Sequence, residues 1–259
     1  MDKEQKNIIT QTIKECLRNK FQNYEPETTS MPFHFRLLGK DRMALYSFIH
    51  SINTNFGTAI FEPVAQKLAL PRFSTVETQQ KAKTIIYSDA QHEIQRIIDS
   101  LETASSKPAK LEEIERIRKL CQSGEPINVK LTKIDLKLIS HDGKMFFTDI
   151  KSPKPNSGEF RGFKRTLLDW IASELAVNPN ANIETFLSMP YNPYEPAKYK
   201  RWTMRGMIDL EYELKVADEF WDFLGGEGTY AELLDCFEKA GIELREEIDK
   251  YFEKFRNIL

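Results

Sequence analysis

One stretch, Asn128 to Asn156 (NVKLTKIDLKLISHDGKMFFTDIKSPKPN), constrains what this chain can fold into more than any other. Val129 to Ile139 is rich in Val, Ile, Leu and Thr and broken by charges, and Lys144 to Ile150 carries Met145, Phe146 and Phe147. Both compositions predict β-strands. Between them His141-Asp142-Gly143 supplies a glycine where a tight turn wants a positive φ, so the pair is expected to form an antiparallel hairpin. Each strand holds an acid: Asp135 in the first, and Asp149 near the end of the second, followed by Lys151. A carboxylate inside an apolar strand is costly unless something compensates it. For two such acids a metal ion is the most productive partner.

The register of this hairpin decides whether they can share one. A two-residue turn at Asp142-Gly143 pairs His141 with Lys144, sets Asp135 opposite Ile150 and sends Asp149 to the other face. A three-residue turn, His141-Asp142-Gly143, pairs Ser140 with Lys144 and sets Asp135 opposite Asp149, on the face that also carries Lys151. Three-residue hairpins join a type I turn to a left-handed residue, and Gly143 falls at that position. Turn chemistry and metal chemistry therefore predict the same register, with Gly143 at positive φ.

The pattern acid-any-Lys by itself says little, since it occurs five times: Glu4–Lys6, Asp135–Lys137, Asp142–Lys144, Asp149–Lys151 and Glu213–Lys215. Only the fourth ends an apolar strand, follows a second strand acid and runs into a Pro/Gly/Asn segment and a basic helix. Without that context, an exposed Asp–Lys pair at a strand end is the simpler reading, stabilising by at most about 1 kcal/mol.

Downstream, Lys154, Arg161, Lys164 and Arg165 gather around the start of a helix expected over Phe160 to Val177. A helix N-terminus with clustered bases suits a phosphate backbone; Asn156 and Arg161 are alternatives for base edges. The loop from Tyr191 to Trp202 interleaves Lys198, Lys200 and Arg201 with Tyr191, Tyr194, Tyr199 and Trp202, and Arg205 follows it. Arginine binds guanine O6 and N7 in bidentate fashion, so this loop is the candidate for base readout; packing against the core is the competing reading. The formal net charge is −2, but Asp209 to Leu259 holds fifteen acids against six bases, leaving 31 bases against 24 acids before it. A basic body with an acidic tail region is compatible with a polyanion on one face.

These residues resemble the PD-(D/E)xK nuclease superfamily: Asp135, then Asp149-Ile150-Lys151 on the next strand. RGFKRTLLDW and YNPYEPAKYKRW are similar to a type II restriction endonuclease branch of it, and the likeness extends from about Pro32 onward. Ile134, where the superfamily motif has Pro, departs from the pattern but leaves the ligand chemistry intact. The resemblance implies Mg²⁺ held by Asp135, Asp149 and the Ile150 carbonyl, with Lys151 stabilising charge at the scissile phosphate. It also implies a helical Glu beside the hairpin: Glu62 is the candidate, with Glu112 and Glu113 as substitutes that otherwise read as a solvated helix face. The implied function is a Mg²⁺-dependent, sequence-specific type II restriction endonuclease on double-stranded DNA, acting as a homodimer in a prokaryotic cell. A structure-specific DNA repair or junction-resolving nuclease, and a DNA-binding module that does not cleave, are the alternatives.

The rest of the chain sets expectations for fold. The expected class is α/β, a central mixed β-sheet flanked by helices (restriction-endonuclease-like) with a helical C-terminal annex. The chain is expected to be one nuclease domain over 1–259, with a helical part over 1–110, an α/β catalytic core over 111–205 and the annex over 206–259. Ser74-x-x-Glu77 resembles a capping box opening a long helix through Leu101; a further strand is expected over Ile183 to Met189, and helix over Asp209 to Leu224. Cys16, Cys121 and Cys236 are isolated, and the four histidines lack metal-ligand spacing. The charged N-terminus lacks a signal-peptide core, which makes a cytoplasmic location the expected default.

Overall fold

The hairpin is the middle of a five-stranded mixed sheet in the computed structural model, which describes residues 1–23, 32–199, 204 and 206–256. In chain order the strands are β1 (Thr75–Gln80), β2 (Ile85–Tyr87), β3 (Pro126–Asn128), β4 (Ile134–Ile139), β5 (Met145–Ile150), β6 (Ile183–Met189) and β7 (Leu214–Val216). The helices are α1 (Lys3–Asn23), α2 (Pro32–Leu38), α3 (Lys40–Phe56), α4 (Glu62–Ala69), α5 (Ser88–Glu102), α6 (Lys110–Leu120), α7 (Phe160–Val177), α8 (Asp218–Gly225), α9 (Thr229–Glu243) and α10 (Arg245–Arg256). The sheet runs β1-β4-β5-β6-β7, and β2 pairs with β3 separately. Contacts divide the chain into two units: Met1–Leu68 with Gly226–Leu259, and Ala69–Gly225.

The second unit contains the whole sheet. β4 alternates buried Ile134, Leu136 and Leu138 with half-buried Asp135, Lys137 and Ile139, so one face is core and the other partly open. β5 is antiparallel to β4 but parallel to β6, reached through the crossover helix α7. Its residues from Phe146 to Ile150 are buried throughout, as expected of a strand covered on both faces. Phe147 meets Trp170 of α7 edge-on, with ring centroids 6.4 Å apart. On the opposite face Phe146 and Phe186 pack edge-on against Phe223 of α8 at 5.2 and 5.7 Å. α5 lines up Ala90, Ile94, Ile97, Ile98 and Leu101 at helical spacing and packs on α7.

The expected α/β class with a mixed sheet holds, but two expected helices give way in part to strands. The segment after Ser74 is β1, not the start of a long helix. Ser74 donates its hydroxyl to the Ile139 carbonyl at 2.8 Å, and Glu77 pairs with Lys137 at 3.0 Å, so both capping-box residues serve the strand pair instead. Likewise β7 precedes α8 where helix is expected, and Ala217 between them has φ 51°, a left-handed residue that breaks continuity. β1 and β7 thus bring sheet into the stretches expected to be wholly helical.

In the first unit α1 packs on α9, with Ile9 and Ile13 buried on the one helix and Leu233, Cys236 and Ala240 on the other. Ion pairs Lys14–Glu243 (2.7 Å) and Arg18–Glu247 (2.6 Å) and the Phe21–Phe48–Tyr251 ring cluster extend the contact to α10 and α3. Among the described residues, no helix is long and apolar enough to cross a membrane.

Candidate active site

The turn between β4 and β5 has the three-residue form. Ser140 N–H donates to the Lys144 carbonyl at 2.9 Å, Gly143 N–H donates to the Ser140 carbonyl at 3.0 Å, and Gly143 has φ 84°. The ladder runs Ile139↔Met145, Leu138↔Phe146, Lys137↔Phe147 and Leu136↔Thr148, so the next position sets Asp135 opposite Asp149. The expected register is the observed one.

At that end of the hairpin the two acids meet. Ile150 N–H donates to Asp135 Oδ2 at 2.9 Å, in place of a ladder bond, and Gln79 Nε2 of β1 donates to Asp135 Oδ1 at 3.1 Å. Asp149 is 3% exposed and shares its face of the sheet with Asp135. Burial pushes the Asp149 carboxyl up, Lys151 pulls against it and Asp135 adds to the rise, leaving it at about 7. Lys151 Nζ lies 2.7 Å from Asp149 Oδ1 and 5.2 Å from the centre of the Phe163 ring of α7, with about a third of its side chain open to solvent. Phe147, Asp149 and Lys151 alternate onto one face, so the cluster sits at the C-terminal end of β5 on the α7 side.

Two carboxylates set opposite each other on one face, one of them buried, are a donor set suited to a divalent cation, whose charge would offset the cost of ionising the buried acid. Among the described residues no group of three or more His, Cys, Asp or Glu side chains is arranged for a metal. The two carboxylates fit a hard ion such as Mg²⁺, which takes one or two carboxylates and fills its remaining positions from carbonyls, water and substrate phosphate.

The other expected site residues fall in several places. Glu62 is 3% exposed at the start of α4, in the first unit, whereas the cluster belongs to the second. Lys154 is exposed, its ammonium 5.6 Å from the Tyr194 ring centre. Asn156 is exposed and opens a short 3-10 turn, its N–H bonded to Glu159 Oε2 at 2.7 Å. Arg161 is half exposed and pairs with Glu102 at 3.3 Å; Arg165 is half-buried and donates to Gln95. Lys198 is exposed on a loop tied to the segment that follows β5, because Tyr199 Oη donates to the Pro153 carbonyl at 2.9 Å. Lys200, Arg201 and Arg205 lie outside the described residues.

Lys164 is a correction. It was expected at a phosphate backbone, but its side chain is 0% exposed, with Nζ bonded to Glu113 and, at 2.7 Å, to Glu213. Lys110 completes the group, reaching Glu213 at 2.7 Å and the Thr185 hydroxyl at 2.8 Å. Helical phase explains the error: from Phe160 the inward stripe of α7 passes through 164, 167, 168 and 171, so Lys164 points to the core while Arg161 and Arg165 do not. Glu113, a substitute for Glu62, is spent in the same group, and Glu112 is exposed on α6. Gln79 had no signal in the sequence beyond a Gln-Gln pair in a polar stretch expected to be helical.

A family model described as type II restriction endonuclease, HinfI, matches residues 1–241. The chain is similar to the type II restriction enzyme HgiCII of Herpetosiphon aurantiacus, 28% identical over 85% of this chain and 80% of that protein. It is similar to HgiEI of the same organism, 26% identical over 84% of this chain and 79% of that protein. The type II restriction enzyme MjaII of Methanocaldococcus jannaschii is 26% identical over 94% of this chain and 73% of its own length.

Proposed function

The chain belongs to the HinfI family of type II restriction endonucleases, and from that premise we propose that it hydrolyses double-stranded DNA at a specific sequence, using Mg²⁺ at the Asp135–Asp149–Lys151 cluster. The observation that carries this reading is the hairpin register. It brings the two acids face to face with Lys151 on the same side, and the buried Asp149 is held close to neutrality by its surroundings.

In this reading Asp135, Asp149 and the Ile150 carbonyl hold the ion. When bound, Mg²⁺ supplies Lewis-acid polarisation of the scissile phosphate and a lowered pKa for a nearby water. The chain's own groups do the rest. With the ion bound, Asp149 would be ionised, its proton having passed to solvent. Lys151, held by Asp149 and the Phe163 ring, carries its charge to the phosphate, where negative charge develops. Lys154 and Arg165 are the proposed phosphate contacts, and Asn156 and Arg161 the alternatives for base edges. Lys198, next to the Tyr199 that bonds the Pro153 carbonyl, is a proposed reader of base edges, and Lys200, Arg201 and Arg205 are proposed with it from the sequence. A homodimer follows from the match between a two-fold site in DNA and a two-fold pair of subunits.

Incubating plasmid with the protein and Mg²⁺ tests the proposal. Discrete fragments that disappear in EDTA are expected. Nicking that tracks DNA structure rather than sequence points to a repair or junction nuclease, and a gel shift with intact DNA to a binding module.

A further inference from the structure

Asp135 sits on β4 between two neighbours, and each gives it one hydrogen bond: Ile150 N–H from β5 to Oδ2 at 2.9 Å, and the Gln79 amide from β1 to Oδ1 at 3.1 Å. The first contact is built from backbone. The second comes from a side chain whose own backbone is unusual. Gln79 lies inside a strand, yet its φ is 53°. The pairing of β1 with β4 includes Thr78↔Leu136 and Gln80↔Ile134 on either side and passes over the position between them, where Gln79 faces Asp135. A left-handed conformation is disfavoured for any residue with a Cβ, and Gln has no local advantage there of the kind Asn and Asp possess. Such residues persist where the surroundings over-determine them, and they gather at functional sites.

We infer that Gln79 is a positioning residue of the metal pair: bent out of the regular strand, its amide holds the Asp135 carboxylate in the orientation that turns it to Asp149. The inference rests on the metal reading proposed above. Two donors, one from each flanking strand, remove the rotational freedom of the carboxylate about its χ2 bond. Asp135 then meets an incoming cation already oriented, so no ordering cost falls on binding. Partners that orient metal ligands from behind in this way typically account for about 10- to 100-fold in metal affinity.

The test uses the full chain and Mn²⁺, following the rise in melting temperature as Mn²⁺ is added to wild type, Gln79→Ala, Gln79→Gly and Asp149→Ala. Ala removes the amide and keeps the left-handed backbone; Gly removes the amide and adopts that backbone freely. Both are expected to need about tenfold more Mn²⁺ for half the rise, while metal-free Gln79→Gly melts above metal-free Gln79→Ala. A purely structural role would move the metal-free melting temperatures and leave the Mn²⁺ midpoints alone. Should Asp149→Ala lose the Mn²⁺ response while both Gln79 variants keep the wild-type midpoint, the inference fails and the metal site stands. Should Mn²⁺ raise Asp149→Ala as much as wild type, the metal reading fails and takes this inference with it.

Discussion

The second unit carries two clusters of acids and lysines that look alike in composition and differ in everything that matters for chemistry. In the group of Lys110, Lys164, Glu113 and Glu213, two ammonium groups meet two carboxylates, and every member is at most 3% exposed. Burial alone would push the Glu213 carboxyl up, but Lys110 and Lys164 together pull it below its usual range. Burial pulls the Lys110 ammonium down, with Glu213 opposing. Charge is balanced and each group has its partner, so nothing is left for a ligand to do. At Asp135, Asp149 and Lys151, two acids meet one lysine. The second acid is raised to about 7, and the lysine stays partly in water. A closed, neutral group is architecture; an open one with an uncompensated acid is a place for a cation.

The contrast is sharpest in substitution. Asp149→Ala and Lys151→Ala are each expected to lower cleavage by about 10³-fold or more while folding and DNA binding persist, since both act on the transition-state charge. Lys164→Ala is expected to do the reverse, lowering unfolding free energy by roughly 3–5 kcal/mol because it strands buried carboxylates. Cleavage assays alongside urea unfolding separate the two; a Lys164→Ala protein of wild-type stability with no cleavage would merge the clusters.

A double substitution sharpens the point. Lys164→Met with Glu113→Leu leaves Lys110 and Glu213 as a balanced pair, and apolar replacements of similar volume are often tolerated at buried ion pairs. The double variant is expected to be more stable than Lys164→Met alone, giving a favourable coupling of about 1–3 kcal/mol in a mutant cycle. Additive losses would show that the group does not act as one unit.

The two clusters also respond to pH with opposite sign. Asp149 is raised from 3.8 to about 7 in the folded protein, so without metal its contribution is complete below about pH 4 and is lost as pH climbs to about 7. Asp149→Asn should abolish that decline. Glu213 is depressed, so its contribution is present above its ordinary range and is lost as pH falls through the folded value. Melting temperature against pH for wild type and Asp149→Asn, in chelator, checks both limbs.

The smallest expected effect concerns the bases nearby. Lys154→Ala and Arg165→Ala should each reduce the slope of log affinity against log salt by roughly 1. In folded protein, conservative replacement of Lys164 should leave the slope unchanged. A reduced slope there would put the buried lysine at the DNA after all.

How far the sequence could be read follows from how local each signal was. The hairpin register was legible because the Gly143 turn and the two acids demanded the same pairing within about twenty residues. Strand β6 and helix α7 were legible from periodicity. Strand β1 was not: TVETQQ is half-buried throughout, an edge strand with no apolar alternation, and Ser74 and Glu77 imitate a helix start. The three residues of β7 are a strand only because β6 is there to pair with them. Lys164 and Lys151 look interchangeable as letters. Only the phase of α7 against the sheet, together with a glutamate 49 positions away, made one a core residue.

The hairpin turn also bears on when this protein becomes dangerous. The hairpin contains the cluster but does not complete it alone: the Asp135 carboxylate is oriented from β1 and β5, and Asp149 faces it only in one of two neighbouring alignments of the strands. A newly made chain whose hairpin has slipped by one residue carries its acids on opposite sides, and one that lacks β1 leaves Asp135 without the Gln79 donor. Nuclease activity is then the last property the molecule acquires. A half-folded copy is inert rather than indiscriminate.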